Sequence, residues 1–165
     1  MKKKIITLIS VFFLFNLSVG QTSVTEFTEA QKTILSTYLQ KNPKYEFVSE
    51  GYFNENGNER ISKDFFGKSF KPYYSFSDFN NDGKKDFAVL LSSGRNNQVI
   101  VIFNNINNTS YQFAFKKEIE NNQSSFIYKS EKYSANNLYY GVLETDIMHC
   151  FRPAGKSYIM EYCGQ

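Results

Sequence analysis

Two apolar runs constrain this chain more than any other feature. Phe87-Ala88-Val89-Leu90-Leu91 and Val99-Ile100-Val101-Ile102-Phe103 are apolar at every position, so neither alternation leaves a polar face. Five residues are too few for a buried helix, and such short runs read as strands covered on both faces. The connector Ser93-Gly94-Arg95-Asn96-Asn97 is too short for a crossover helix, which makes the pair antiparallel and central in its sheet. The remaining composition agrees: 17 Phe and 12 Tyr with no Trp favour pleated surfaces, where rings pack well.

Further strands are expected at 45–53, 73–79, 111–115, 126–128, 138–143, 145–151 and 158–162. Turns rich in Asn and Gly separate them, including Asn54-Glu55-Asn56-Gly57-Asn58 and Asn104-Asn105-Ile106-Asn107-Asn108. Tyr111, Phe113 and Phe115 alternate with Gln112, Ala114 and Lys116, the pattern of a half-buried strand. Ahead of these lies one amphipathic helix. Phe27, Ala30, Ile34, Leu35, Tyr38 and Leu39 form a stripe of 3.6-residue period, Ser23 and Glu26 have capping-box spacing, and Asn42-Pro43 ends the segment. Its polar face is not basic, so packing on its own sheet is favoured over a membrane surface. The expected fold class is α+β: an N-terminal helix packed on a mostly antiparallel meander.

The first twenty residues have a different purpose. Lys2, Lys3 and Lys4 precede an apolar stretch from Ile5, and Ser18-Val19-Gly20 places small residues before Gln21. The stretch ends at Val19, short of the ~20 residues that cross a bilayer. A signal peptide at 1–20 is therefore expected, with a single domain at 21–165 in the periplasm or outside the cell. No cysteine near Gln21 offers a lipid attachment point. Without the three lysines the formal charge of +3 disappears, leaving 16 residues of each sign. A neutral chain carries no electrostatic footprint for nucleic acid, and no membrane span remains after cleavage.

Between two expected strands lies Asp78-Phe79-Asn80-Asn81-Asp82-Gly83-Lys84-Lys85-Asp86, which reads D-x-N-x-D-G-x-x-D. Oxygen side chains at positions 1, 3, 5 and 9 of a tight loop can converge on one cation. Gly83 permits the sharp turn, and Lys84 can offer its backbone carbonyl. Calcium suits such a set of hard oxygens, whereas zinc would want nitrogen or sulfur. Three carboxylates within nine residues also repel one another unless something positive offsets them. The loop is not an EF-hand, because position 12 is Val89 and a strand follows directly.

Strand, acidic loop and strand in this order resemble the FG-GAP/VCBS motif of integrin-type propeller blades, with Phe66-Gly67 in the place of that family's FG element. The resemblance covers about 66–91. It implies calcium held by Asp78, Asn80, Asp82 and Asp86 and by the Lys84 carbonyl. It does not extend to the propeller: Ser92-Ser93-Gly94 stands where the family has Gly-Ala-Pro, and one copy of the motif cannot build a ring of four or more blades.

Other constellations carry less. His149 and Cys150 are neighbours on an expected strand, so their side chains point to opposite faces and cannot form a dyad. Glu144 and Asp146 share a face, as solvated carboxylates routinely do. Tyr73 with Tyr74, and Tyr139 with Tyr140, could present rings for carbohydrate stacking, although filling the core is the commoner fate. Asn107, Asn108 and Asn122 begin glycosylation-type triplets in a chain where Asn is abundant. Export places Cys150 and Cys163 where a disulfide persists. A turn centred on Ala154 and Gly155, however, would set Cys150 opposite Ile159 and leave Cys163 out of reach without a bulge or wider loop.

The functional expectation is a non-enzymatic, exported binding domain with a structural calcium ion and a protein or glycan partner. The alternatives are an inhibitor or immunity protein against a hydrolase or toxin, with 104–110 as its protruding loop, and a glycan-acting enzyme.

Overall fold

The structure is a computed structural model that describes residues 26–48, 71–94, 97–120, 125–129, 138–142 and 145–163. The expected signal peptide, Ser23, most of the 45–53 strand, Phe66-Gly67, the triplet at Asn122 and Glu144 lie outside the described residues. The described chain is mostly antiparallel sheet with one helix, α1 at Glu29–Lys41. No described helix is long and apolar enough to cross a membrane.

The helix begins later than its apolar stripe implies. Thr28, not Ser23, is the N-cap: its hydroxyl oxygen accepts the Gln31 N–H while the Gln31 side chain accepts the Thr28 N–H. This is a capping box one turn further on. Phe27 therefore sits before the helix, where its buried ring meets Phe47, Tyr74, Phe76 and Phe87. Asn42 ends the helix as expected, its N–H donating to the Leu39 carbonyl.

The strands form two sheets rather than one. The first contains β1 (Glu46–Phe47), β2 (Tyr74–Ser77), β3 (Asp86–Ser92), β4 (Asn97–Asn105) and β5 (Tyr111–Glu120), and the second β6 (Ser125–Lys129), β7 (Leu138–Val142), β8 (Met148–Ala154) and β9 (Ser157–Tyr162). Strand β3 pairs with β4 along its length on one side, and with β2 and β1 end to end on the other. All residues from Phe87 to Leu91 and from Val99 to Phe103 are fully buried, as two apolar alternations require. The sheets approach each other at both margins. The Ile127 N–H donates to the Pro72 carbonyl beside β2, and the Ser157 hydroxyl donates to the Ala114 carbonyl on β5. Among the described residues neither junction extends into a ladder, and no barrel closes.

A bulge in β5 decides how the sheets share their core. Ile102 pairs with Phe115 and Phe103 with Phe113, so Ala114 is an extra residue. An extra residue reverses the faces of everything beyond it. Phe113 lies beside Tyr38 and Phe103, while Phe115 turns to the other face and meets Phe151 and Tyr158 of the second sheet. Simple alternation assigns Tyr111, Phe113 and Phe115 to one face. The bulge is why they are divided.

In the second sheet Ile127, Leu138, Tyr140, Phe151 and Tyr158 join the same core as β3 and β4. On its opposite face the Phe126 ring lies over Gly141, so close that a Cβ there would come within 2.6 Å of it. The β8–β9 hairpin turns at Gly155-Lys156, with Gly155 at φ +63° in the first central position, the requirement of a type II′ turn. This turn lies one residue later than expected, and each such step moves the register by two. Cys150 therefore opposes Glu161 rather than Ile159. Cys163 becomes its diagonal neighbour at a Cα separation of 5.8 Å, and the two are disulfide-bonded.

Candidate functional site

The 78–86 loop joins β2 to β3 at the edge of the core. Two residues in it have positive φ, Asn81 at +61° and Gly83 at +82°. Asn tolerates the left-handed region better than most residues and Gly enters it freely, which is why this sequence can reverse so tightly. A substituent at Gly83 would meet nothing within 4 Å. The constraint there is backbone conformation, not space.

Inside the turn the acidic and amide oxygens face backbone donors. Asp78 Oδ1 and Asn80 Oδ1 both accept the Asp82 N–H, at 3.0 and 2.9 Å. Asp78 Oδ2 accepts the Gly83 N–H at 2.8 Å, and Asp82 Oδ1 accepts the Lys84 N–H at 2.9 Å. The Asn80 amide donates to Asp82 Oδ2, and the Lys84 ammonium turns back to the same oxygen at 3.6 Å. Lys85 extends over the Phe76 ring. The repulsion among the carboxylates is thus partly offset by backbone N–H groups and one lysine.

Asp86 is different. It is fully buried, with Oδ2 accepting the Phe79 N–H at 3.0 Å and Oδ1 accepting the Asn105 N–H at 2.8 Å. Burial pushes its carboxyl up to about 6, against the opposing pull of the donors from Asn105 and Phe79. Asn105, also buried, extends the connection: its amide donates to the Lys85 carbonyl and its Oδ1 accepts the Asn108 N–H at 2.6 Å. From the second sheet the Tyr158 hydroxyl donates to Asn104 Oδ1 at 2.6 Å and stands 3.5 Å from Asp86 Oδ2. Burial, and then the charge on Asp86, raise this hydroxyl far above an ordinary tyrosine. Sequence reasoning missed Asn104, Asn105 and Tyr158, because their proximity to Asp86 depends on the β4 register and on the second sheet.

The donor set suits calcium chemically: each hydrogen-bonded oxygen of Asp78, Asn80 and Asp82 retains acceptor capacity, and every candidate ligand is a hard oxygen. Among the described residues, no three Asp, Glu, His or Cys side chains gather as a metal-holding group. Asp78, Asn80 and Asp82 share the turn, while Asp86 is held by other partners.

The remaining candidates resolve simply. Cys150 is consumed in the disulfide, and His149 lies between the rings of Tyr140 and Tyr162. Tyr73, Tyr74, Tyr139 and Tyr140 are all buried, so none presents a ring for stacking a sugar. At the β4–β5 connection residues 106–110 are exposed, with Ile106 at 46%. Comparison with known families, curated proteins and solved structures finds no match to this chain.

Proposed function

We propose that this chain is an exported, non-catalytic binding domain whose 78–86 loop takes a structural calcium ion. One observation carries the ion: the side-chain oxygens of Asp78 and Asn80 converge on a single amide, that of Asp82, whose own carboxylate belongs to the same turn. Asp78, Asn80, Asp82 and the Lys84 carbonyl are the groups that would hold it. The kinship with FG-GAP/VCBS repeats is one of loop design. Export is supported by the Cys150–Cys163 bond, which oxidising compartments maintain. We read α1 as the cover of the β3–β4 face that bears Phe87 and Phe103. Gln31 donating to the Tyr111 hydroxyl and Tyr38 packing edge-on to Phe103 support that reading.

The partner is a protein or glycan. Exposed Ile106, at the tip between β4 and β5, favours a second reading in which this loop enters a hydrolase or toxin as an inhibitor would.

The experiment is a thermal melt in calcium and in chelator, for wild type and Asp82→Ala. With an extracellular-module affinity of ~10⁻⁴ M, calcium near 1 mM stabilises by roughly 1.4 kcal/mol, a few degrees in Tm. Asp82→Ala should lose that increment. An unchanged wild-type midpoint with no heat of calcium binding removes the ion from the proposal. Affinity capture from envelope and secreted fractions, with and without calcium, then tests the partner: recovery of one stoichiometric hydrolase or toxin selects the inhibitor reading.

A further inference from the structure

We propose that Asp86 is the latch that fastens the 78–86 loop to the β4–β5 connection and to the second sheet, and not a ligand of the ion. The inference rests on the calcium reading only for its ion arm. Three features of the geometry separate Asp86 from Asp78 and Asp82.

The first is burial. Asp86 is fully enclosed, whereas Asp82 is exposed and Asp78 partly so. The second is the origin of its donors. Asp78, Asn80 and Asp82 exchange hydrogen bonds within the turn, but Asp86 accepts from Phe79 at the turn's start and from Asn105 nineteen residues away. A carboxylate with a backbone donor on each oxygen, in a buried site, is positioned by those donors and in turn positions them. The third is what lies beyond. Asn105 joins the Lys85 carbonyl to Asn108, so the acidic loop and the exposed connection carrying Ile106 are tied together. Tyr158 reaches the same point from the disulfide-bonded hairpin, donating to Asn104 alongside Asp86. Asp86 is thus a positioning residue for both loops, and it acts whether or not an ion is present.

The test uses the full exported chain, with calcium chloride as the probe, and compares Asp86→Asn with wild type. An Asn side chain offers one acceptor and sets its own N–H₂ against either Phe79 N–H or Asn105 N–H. The expected result has three parts. The chelator midpoint falls by several degrees, the calcium-induced rise in midpoint stays within about a degree of the wild-type rise, and the Phe79 and Asn105 amides lose at least tenfold in hydrogen-exchange protection. The opposite pattern, an unchanged chelator midpoint with the calcium rise abolished, makes Asp86 a ligand and overturns the inference. Tyr158→Phe and Asn105→Ala serve if Asp86→Asn does not fold. Each should lower the chelator midpoint while keeping the calcium rise, and an unchanged midpoint in both overturns the latch. A wild type with no calcium rise removes the ion reading alone. The latch is then judged on the chelator melts and on amide protection.

Discussion

In the first sheet the inner runs of the central strands, Phe87 to Leu91 and Val99 to Phe103, are apolar at every position and buried on both faces. In the second, one face reaches the shared core, while the other carries Phe126 over Gly141, Tyr128 against Tyr139, and the Cys150–Cys163 bond. The difference is one of means. Strands β3 and β4 offer ten fully buried apolar positions in two runs of five and carry no crosslink. Strands β6 and β7 have only five residues each, and the β8–β9 hairpin is exposed around Gly155. A covalent tie at the open end of that hairpin restrains what burial alone holds less firmly.

The sharpest way to break the comparison is Phe103→Ala. Its ring is fully buried, stacked on Phe87 at 4.8 Å and met edge-on by Tyr38. Removal should cost about 3–5 kcal/mol, from lost transfer free energy and the cavity left behind. Denaturant unfolding measures it. A loss below about 1 kcal/mol would mean that the first sheet does not depend on this layer.

Next in size is the disulfide. Its sulfurs close a loop of sequence separation 13, for which the chain-entropy model gives about 3 kcal/mol. Cys150→Ala with Cys163→Ala should lower the denaturation midpoint accordingly, and amide exchange should quicken most in β8 and β9. If exchange quickens equally in β3 and β4, the two sheets unfold as one unit and the contrast between them is lost.

Residues that carry a strong local signal were legible in the sequence. The two apolar runs, the Asn42 helix stop and the Gly83 turn each follow from their own side chains. What escaped depends on long-range register. The split of Phe113 from Phe115 comes from one extra residue at Ala114, which no alternation rule foresees. The hairpin register is ambiguous in the sequence because Ala154-Gly155 and Gly155-Lys156 are both plausible turn centres, and only the II′ preference for Gly in first position selects the second. The candidate site follows the same rule. Asp78, Asn80 and Asp82 are near one another because they are near in sequence. Asp86 takes one donor from Phe79 within the motif, but its others come from β4 and β9, so position 9 of the motif could not disclose these contacts.

The smallest expected effect belongs to the first sheet's exposed edge and sharpens the comparison by showing how little surface charge contributes there. Glu118 on β5 accepts hydrogen bonds from the buried Tyr45 hydroxyl and from Lys44 and Lys116, each lysine at 3.1 Å. The Tyr45 hydrogen bond first, then those of the two lysines, hold its carboxyl down at about 2, against an ordinary value of 4.5. A carboxyl depressed on folding stabilises above its unfolded value, and that contribution fades as pH falls from about 4.5 toward 2. Because the side chain is half exposed, solvent and salt screen the interaction and its share of stability is small. Glu118→Gln should therefore melt slightly below wild type at pH 6, with the gap closing across that window and narrowing at high salt. A gap that stays constant from pH 6 to pH 2 would show that the loss comes from altered packing on Tyr45 and not from the charge.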